Sequence, residues 1–226
     1  MSTQTIAVPT IAVLGGTGDL GGGLVYRWVK AGFPVIIGSR KEEAALEAVA
    51  KLKERLPKGN VSGMENTAAA KAGEIVVMTV PFAHQQSTLA SIKEAVQGKV
   101  FIDVTVALNP PKVGTVQMPK EGSAGVICQQ TLGDGVKVVS AFQNIAAAHL
   151  DSDHDVHCDV LVTGNDKEAR QVVIDLAKAI GLKAWHAGPI ANSAATEALT
   201  SVLITLNKQY KIPGAGIVIT GEPSEA

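Results

Sequence analysis

Apolar residues in this chain fall in short runs closed by glycine or proline, and these alternate with stretches of helical period. Ile11-Ala-Val-Leu14 runs straight into glycines and reads as a buried strand. A helical pattern follows over 20–31, and Gly32 ends it as a C-cap. The second strand is predicted over 33–37 and an Ala- and Glu-rich helix over 41–56, broken by Pro57-Lys-Gly-Asn60. A short strand (61–64), a helix (65–72) and a further strand (74–80) come next; Pro81 cannot continue a ladder, so the chain turns there. Then come a helix over 87–96 capped by Gly98, a strand over 99–105, a turn-rich loop over 109–125, a short helix over 126–132 and a strand over 137–141. Beyond these lie a strand over 160–163, a turn with Asp166 as N-cap, an amphipathic helix over 169–180 ended by Gly181, and a strand over 182–186. An apolar helix over 194–209 and a strand-like piece within 210–221 complete the pattern, with residues 1–9 as a loose leader and 222–226 as a disordered tail.

Strands alternating with helices predict an α/β fold: a Rossmann-type, doubly wound, mostly parallel sheet. Residues 1–145 read as the dinucleotide-binding domain, and residues 146–226 as a small C-terminal α/β lobe closing the acceptor site. The first strand opens directly into Gly16-x-Gly18-x-x-Gly21. Gly16 allows the tight turn, Gly18 lets the backbone approach a pyrophosphate, and Gly21 lets the helix pack closely on the strand. The first amides of the following helix, around Thr17, Asp19 and Leu20, then point at the phosphates, where the helix dipole favours negative charge.

An NAD site places an acidic residue about 20 residues after that turn, on the ribose hydroxyls. Here Ser39, Arg40 and Lys41 follow the end of the second strand instead. A hydroxyl and two cations suit a 2′-phosphate, and cations at a helix N-terminus are otherwise unfavourable, so NADP(H) is favoured over NAD(H). Val80, Pro81 and His84 fall at the carboxyl end of a strand, in the crevice where such folds bind ligands, and Phe142-Gln-Asn-Ile-Ala146 faces the same crevice. The stretch 151–159 is rich in Asp and His, but its residues are sequence neighbours without the spacing of a metal site, so it reads as a solvated loop; no metal ligands are assigned.

Composition narrows the function classes. A net charge of -1 with 18% charged residues offers no electrostatic footprint for nucleic acid or an anionic membrane. No apolar run reaches the length of a membrane span, and the first ten residues lack the charged and apolar regions of a signal peptide. Cys128 and Cys158 have no metal-ligand spacing and read as buried thiols, consistent with a cytoplasmic protein.

Taken together, the chain resembles the coenzyme F420-dependent NADP oxidoreductase family over nearly its whole length. The resemblance is carried by Gly15-Gly-Thr-Gly-x-Leu-Gly-x-Gly-Leu24, Gly38-Ser-Arg40, Val80-Pro-x-x-His84, Val139-Ser-Ala141 and Ala187-Gly-Pro-Ile-x-Asn-Ser193. It implies hydride transfer between NADP(H) and the deazaflavin coenzyme F420. It places NADP contacts on Thr17, Leu20, Ser39, Arg40, Lys41, Val80, Pro81 and His84, nicotinamide packing on Ile145, and a threonine of the last helix on Thr200. Three positions depart from the family pattern: Gln143 stands where it has His, Ala194 where it has Arg, and Ala198 where it has Ser. Losing an Arg weakens the hold on an anionic acceptor. Hydride transfer between two aromatic rings needs positioning and water exclusion rather than a general acid, so no catalytic acid or base is assigned; Gln143 and Thr200 are the candidates to hydrogen-bond the acceptor. A reductase of another planar acceptor, such as a flavin or quinone, and an NADPH-binding regulatory module are the alternatives. The helix over 194–206 is a candidate homodimer surface, or else packs within its own subunit.

Overall fold

The computed structural model describes residues 8–221. Most of the expected leader and all of the expected tail lie outside the described residues.

The described residues form eight strands in one sheet, with eight α-helices. In chain order they are β1 (Ile11–Leu14), α1 (Asp19–Lys30), β2 (Val35–Ser39), α2 (Glu42–Arg55), β3 (Val61–Glu65), α3 (Asn66–Ala72), β4 (Ile75–Met78) and α4 (Phe82–Ile92). There follow β5 (Val100–Asp103), α5 (Ala124–Leu132), β6 (Lys137–Ser140), α6 (Ala147–Leu150), β7 (Asp159–Gly164), α7 (Lys167–Ala179), β8 (Lys183–His186) and α8 (Ser193–Tyr210). The strand order is β3-β2-β1-β4-β5-β6-β7-β8. Every pairing is parallel except β6 with β7. The order reverses at β1, so the crevice of a doubly wound sheet opens at the carboxyl ends of β1 and β4.

The central strands are apolar on both faces because both are covered. Ile11 and Val13 of β1 join Leu24, Trp28, Leu52, Val173 and Leu176 under α1, α2 and α7. Ala12 and Leu14 point the other way, into a core with Met78, Leu89, Phe101 and Leu132 under α3, α4 and α5. Continuous apolar runs, rather than alternating ones, are what such double coverage demands.

The sheet does not stop at residue 145. β7 joins β6 antiparallel, but only through Val139↔Gly164 and Ser140↔Thr163. Asp159, Val160, Leu161 and Val162 therefore lie past the last paired residue of β6, beyond the carboxyl edge, where β8 pairs with them. α8 packs on α5, where Glu197 takes the amides of Ala124 and Gly125 and Ser193 lies against Gly125, so this part of its buried face is covered within the chain.

Two expected elements differ. The helix after β4 starts at Phe82, with Pro81 as N-cap, rather than at Ser87, and its expected last turn, Lys93–Val96, is 3-10. Proline suits a helix start because its missing N–H would be unpaired there anyway. The strand-like piece expected within 210–221 forms no strand. Lys211 takes a left-handed conformation (φ 55°) that ends α8, and Pro213, Gly214 and Gly216 interrupt any ladder. The segment is pinned by single bonds instead: Asn207 Oδ1 accepts from Ala215 N at 2.6 Å, and Asp159 Oδ2 accepts from Ile219 N at 2.9 Å.

Candidate cofactor and acceptor site

The glycine turn is built against both neighbouring strands. Gly15, at φ 77°, takes the left-handed conformation that turns the chain out of β1. The amides of Gly15 and Gly16 both donate to Gly38 O, at 3.0 and 3.2 Å, which ties the turn to the end of β2. Gly21 is required by close approach: a Cβ there would lie 2.5 Å from Thr79 Oγ1 and 2.7 Å from Gly15 O. α1 therefore seats its first turn on the end of β4. Gly18 is the N-cap of α1, and no side chain caps the helix. An uncapped first turn leaves backbone donors facing the crevice, which suits a pyrophosphate.

The other expected cofactor residues lie along the same edge. Ser39 is the last residue of β2 and is buried; Arg40 and Lys41 follow it, both exposed and, among the described residues, without an ion pair. Asn66 opens α3 beside them, 6% exposed, its Oδ1 lacking a partner and lying 2.9 Å from where Gly38 would carry a Cβ. Val80 packs over the turn, its Cγ1 3.1 Å from the position a Cβ would take on Gly15. Pro81 and His84 are exposed at the start of α4, where the amide of His84 donates to Pro81 O at 2.8 Å. Thr105, just past β5, is buried with an unpartnered Oγ1. Neither Asn66 nor Thr105 was singled out by sequence; only their places after strands β3 and β5 mark them.

The segment after β6 is held in a strained shape. Phe142 has φ 72°, rare for a bulky residue and worth about 1–3 kcal/mol of strain. Its ring is buried and meets Trp28 edge-on, with centroids 5.9 Å apart. This turn places Gln143, Asn144 and Ile145, each 6% exposed, at the carboxyl end of β6. Gln143 Nε2 donates to Asp103 O (3.0 Å) and to Ser140 Oγ (2.8 Å), and Asn144 Nδ2 donates to Thr196 O (2.8 Å). Thr200 of α8 donates its hydroxyl to Gln143 O at 2.9 Å. Thr200 and Gln143 are thus brought into contact across 57 residues of chain.

Behind this edge lie two buried carboxyl groups that sequence reasoning did not find. Asp103 accepts from Gln85 Nε2 (2.8 Å) and Thr105 N (2.9 Å); burial raises its pKa to about 6. Glu197, 1% exposed, accepts from the amides of Ala124 (2.8 Å) and Gly125 (2.9 Å) at the start of α5. Burial pushes it up to about 8, while those two amides pull the other way. An acidic residue in an apolar helix reads as a surface position, and only the facing helix terminus reveals the seat.

The acidic loop has other partners. Asp153 pairs with Lys30 (2.7 Å) and accepts from Tyr26 (2.5 Å), and Asp151 pairs with Arg55 (2.5 Å). Arg27 donates to the carbonyls of His149, Leu150, Ser152 and His154. Among the described residues no three His, Cys, Asp or Glu side chains converge as a metal site. Both cysteines are buried free thiols.

Residues 10–107 match the family model described as NADP oxidoreductase, coenzyme F420-dependent. The chain is 44% identical to the F420-dependent NADP reductase of Methanocaldococcus jannaschii over 219 residues, covering 93% of this chain and 97% of that one. It is 41% identical to the F420-dependent NADP reductase of Methanothermobacter marburgensis over 221 residues, covering 94% and 99%. A solved structure from Arthrobacter sp. FB24, assigned as an F420-dependent NADP reductase, superposes with a TM-score of 0.78 at 26% identity, covering 93% of this chain and 99% of that chain.

Proposed function

The chain belongs to the coenzyme F420-dependent NADP oxidoreductase family, and on that premise we propose how its carboxyl edge carries out hydride transfer between NADP(H) and F420. The observation that carries the reading is the order of groups along that edge. Cations without ion pairs among the described residues (Arg40, Lys41) stand at the end of β2, uncapped amides at the start of α1, and a surface of half-buried Val80 and buried Ile145 and Gln143 at the ends of β4 and β6. A dinucleotide laid along it puts its 2′-phosphate on Ser39, Arg40 and Lys41 and its pyrophosphate over Gly16, Thr17, Gly18, Asp19 and Leu20. Its nicotinamide then reaches Val80, Pro81, His84 and Ile145. The unpartnered Asn66 Oδ1, beside Gly38 at the end of β2, supports a polar ligand at that end of the path.

The protein supplies position and dryness. Bound here, NADPH would supply a hydride, with its two electrons, to C5 of the deazaflavin, and solvent would supply the proton for N1. Ile145 and Val80 pack the ring that donates, Gln143 and Thr200 face the ring that accepts, and β7, β8 and α8, standing past the end of β6, wall the crevice from water. In this reading residues 146–226 serve as that wall. The same proposal takes the protein as a cytoplasmic homodimer; among the described residues no helix is long and apolar enough to cross a membrane. Val202 on α8 together with Tyr210, Ile212, Val218 and Ile219 leaves apolar surface for a second copy.

The test is NADPH oxidation by the purified protein with F420 and FMN as parallel acceptors. Turnover with F420 supports the reading. Turnover with FMN alone would show that Gln143, Ala194 and Ala198 have moved the specificity and overturn it.

A further inference from the structure

The side-chain donors of Gln143 and Thr200, the two residues placed on the acceptor face, are already used. The carbonyl of Asp103 can only accept, so the atom of the Gln143 amide 3.0 Å from it must be the nitrogen. The second N–H of that nitrogen meets Ser140 Oγ at 2.8 Å. Oε1 is then the one polar side-chain atom of Gln143 left over, and it takes no hydrogen bond among the described residues. Thr200 is committed in the same sense: its single hydroxyl hydrogen goes to Gln143 O, leaving lone pairs. Asn144 turns its amide inward to Thr196 O, and α8 adds only methyl groups at Ala194 and Ala198.

We propose that this face accepts hydrogen bonds without donating them, and that it thereby selects the reduced deazaflavin over the oxidised one. The inference rests on the reading that Gln143 and Thr200 line the acceptor site. The pyrimidine edge of an oxidised deazaflavin presents one N–H, at N3, among two carbonyls and an unprotonated N1. Reduction adds a hydride at C5 and a proton at N1, so the edge then carries an N–H on each side of the C2 carbonyl. Two acceptors facing one donor leave one of them against a lone pair; facing two donors, both are paired. Each such mismatch in a buried site is worth about tenfold in affinity. The bound equilibrium is thereby drawn toward dihydro-F420, which makes product release the step the pocket slows in the NADPH-oxidising direction.

Dissociation constants for F420 and dihydro-F420, measured anaerobically by calorimetry on the intact protein, test it. Wild type should bind the reduced form about tenfold tighter. Gln143→Met and Thr200→Val should each weaken dihydro-F420 about tenfold; the variant that removes the acceptor facing N1 should leave oxidised F420 within twofold, the variant that removes the one facing N3–H should weaken both forms, and NADPH affinity should be unchanged as the check on folding. Equal affinities in wild type, or equal losses for both forms in both variants, overturn the proposal while leaving the two residues in the site. If neither variant changes either constant, both the proposal and the placement of the site fail.

Discussion

Arg40 shows how much one side chain decides. Exposed, without an ion pair among the described residues, and placed at the end of β2, its guanidinium is available to a phosphate and has no visible structural task. Arg40→Asp should weaken NADPH binding by roughly 10–100-fold, as expected for a lost charge-assisted contact, and change NADH binding little. Equal losses measured by fluorescence titration would remove Arg40 from 2′-phosphate recognition. Glu197 is the opposite kind of residue, fully enclosed and structural. Its pKa is raised on folding, to about 8, so the native state holds its proton between the ordinary carboxylate range and about pH 8. The stability this lends is complete below pH 4.5 and is lost as pH climbs through 8, at roughly 1.4 kcal/mol per pH unit within that window. Denaturation of wild type and Glu197→Gln from pH 5 to 9 should show the wild type losing ground steadily toward pH 8; parallel curves would place the proton elsewhere. Arg40 was legible in sequence because it breaks the acidic rule of NAD sites. Glu197 and the left-handed Phe142 were not, because both depend on what another part of the chain brings against them.

At the scale of elements, α1 contrasts two adjacent glycines. Gly21 has the end of β4 pressed on it, whereas a Cβ on Gly22 would meet only Gly16 O, at an ordinary 3.6 Å. Gly21→Ala should destabilise by ~1–3 kcal/mol through overpacking against backbone that cannot give, and should lower NADPH affinity with it. Gly22→Ala should stabilise by ~0.5–1 kcal/mol from helix propensity alone. Thermal unfolding of the two variants reads both signs, and a common sign would mean that α1 does not sit on the turn as described. Buried strands and capped helices were readable because apolar runs closed by glycine have few alternatives: β1, β6, α7 and its Asp166 cap fall where the pattern puts them. The start of α4 was not, because Pro81 ends a strand and begins a helix with the same covalent property. The 210–221 segment misled because its apolar residues suggest a strand, while Pro213, Gly214 and Gly216 deny it a ladder.

For the whole molecule, the joint between β6 and β7 sets how the protein comes apart. Five parallel pairings hold β1 to β6 through four or five registered residues each, and β7 holds β8 through another four. The seam between these blocks has two. Hydrogen exchange should therefore resolve two cooperative units. Amides of β7, α7 and β8 should open together, at a lower free energy than β1, β4 and β5, instead of fading evenly across the sheet. A single common opening energy would mean that α8, bound to α5 through Glu197, welds the seam shut. If two units do appear, the wall of the crevice can breathe while the nucleotide platform stays folded, so a large deazaflavin could come and go without the enzyme having to release its NADP.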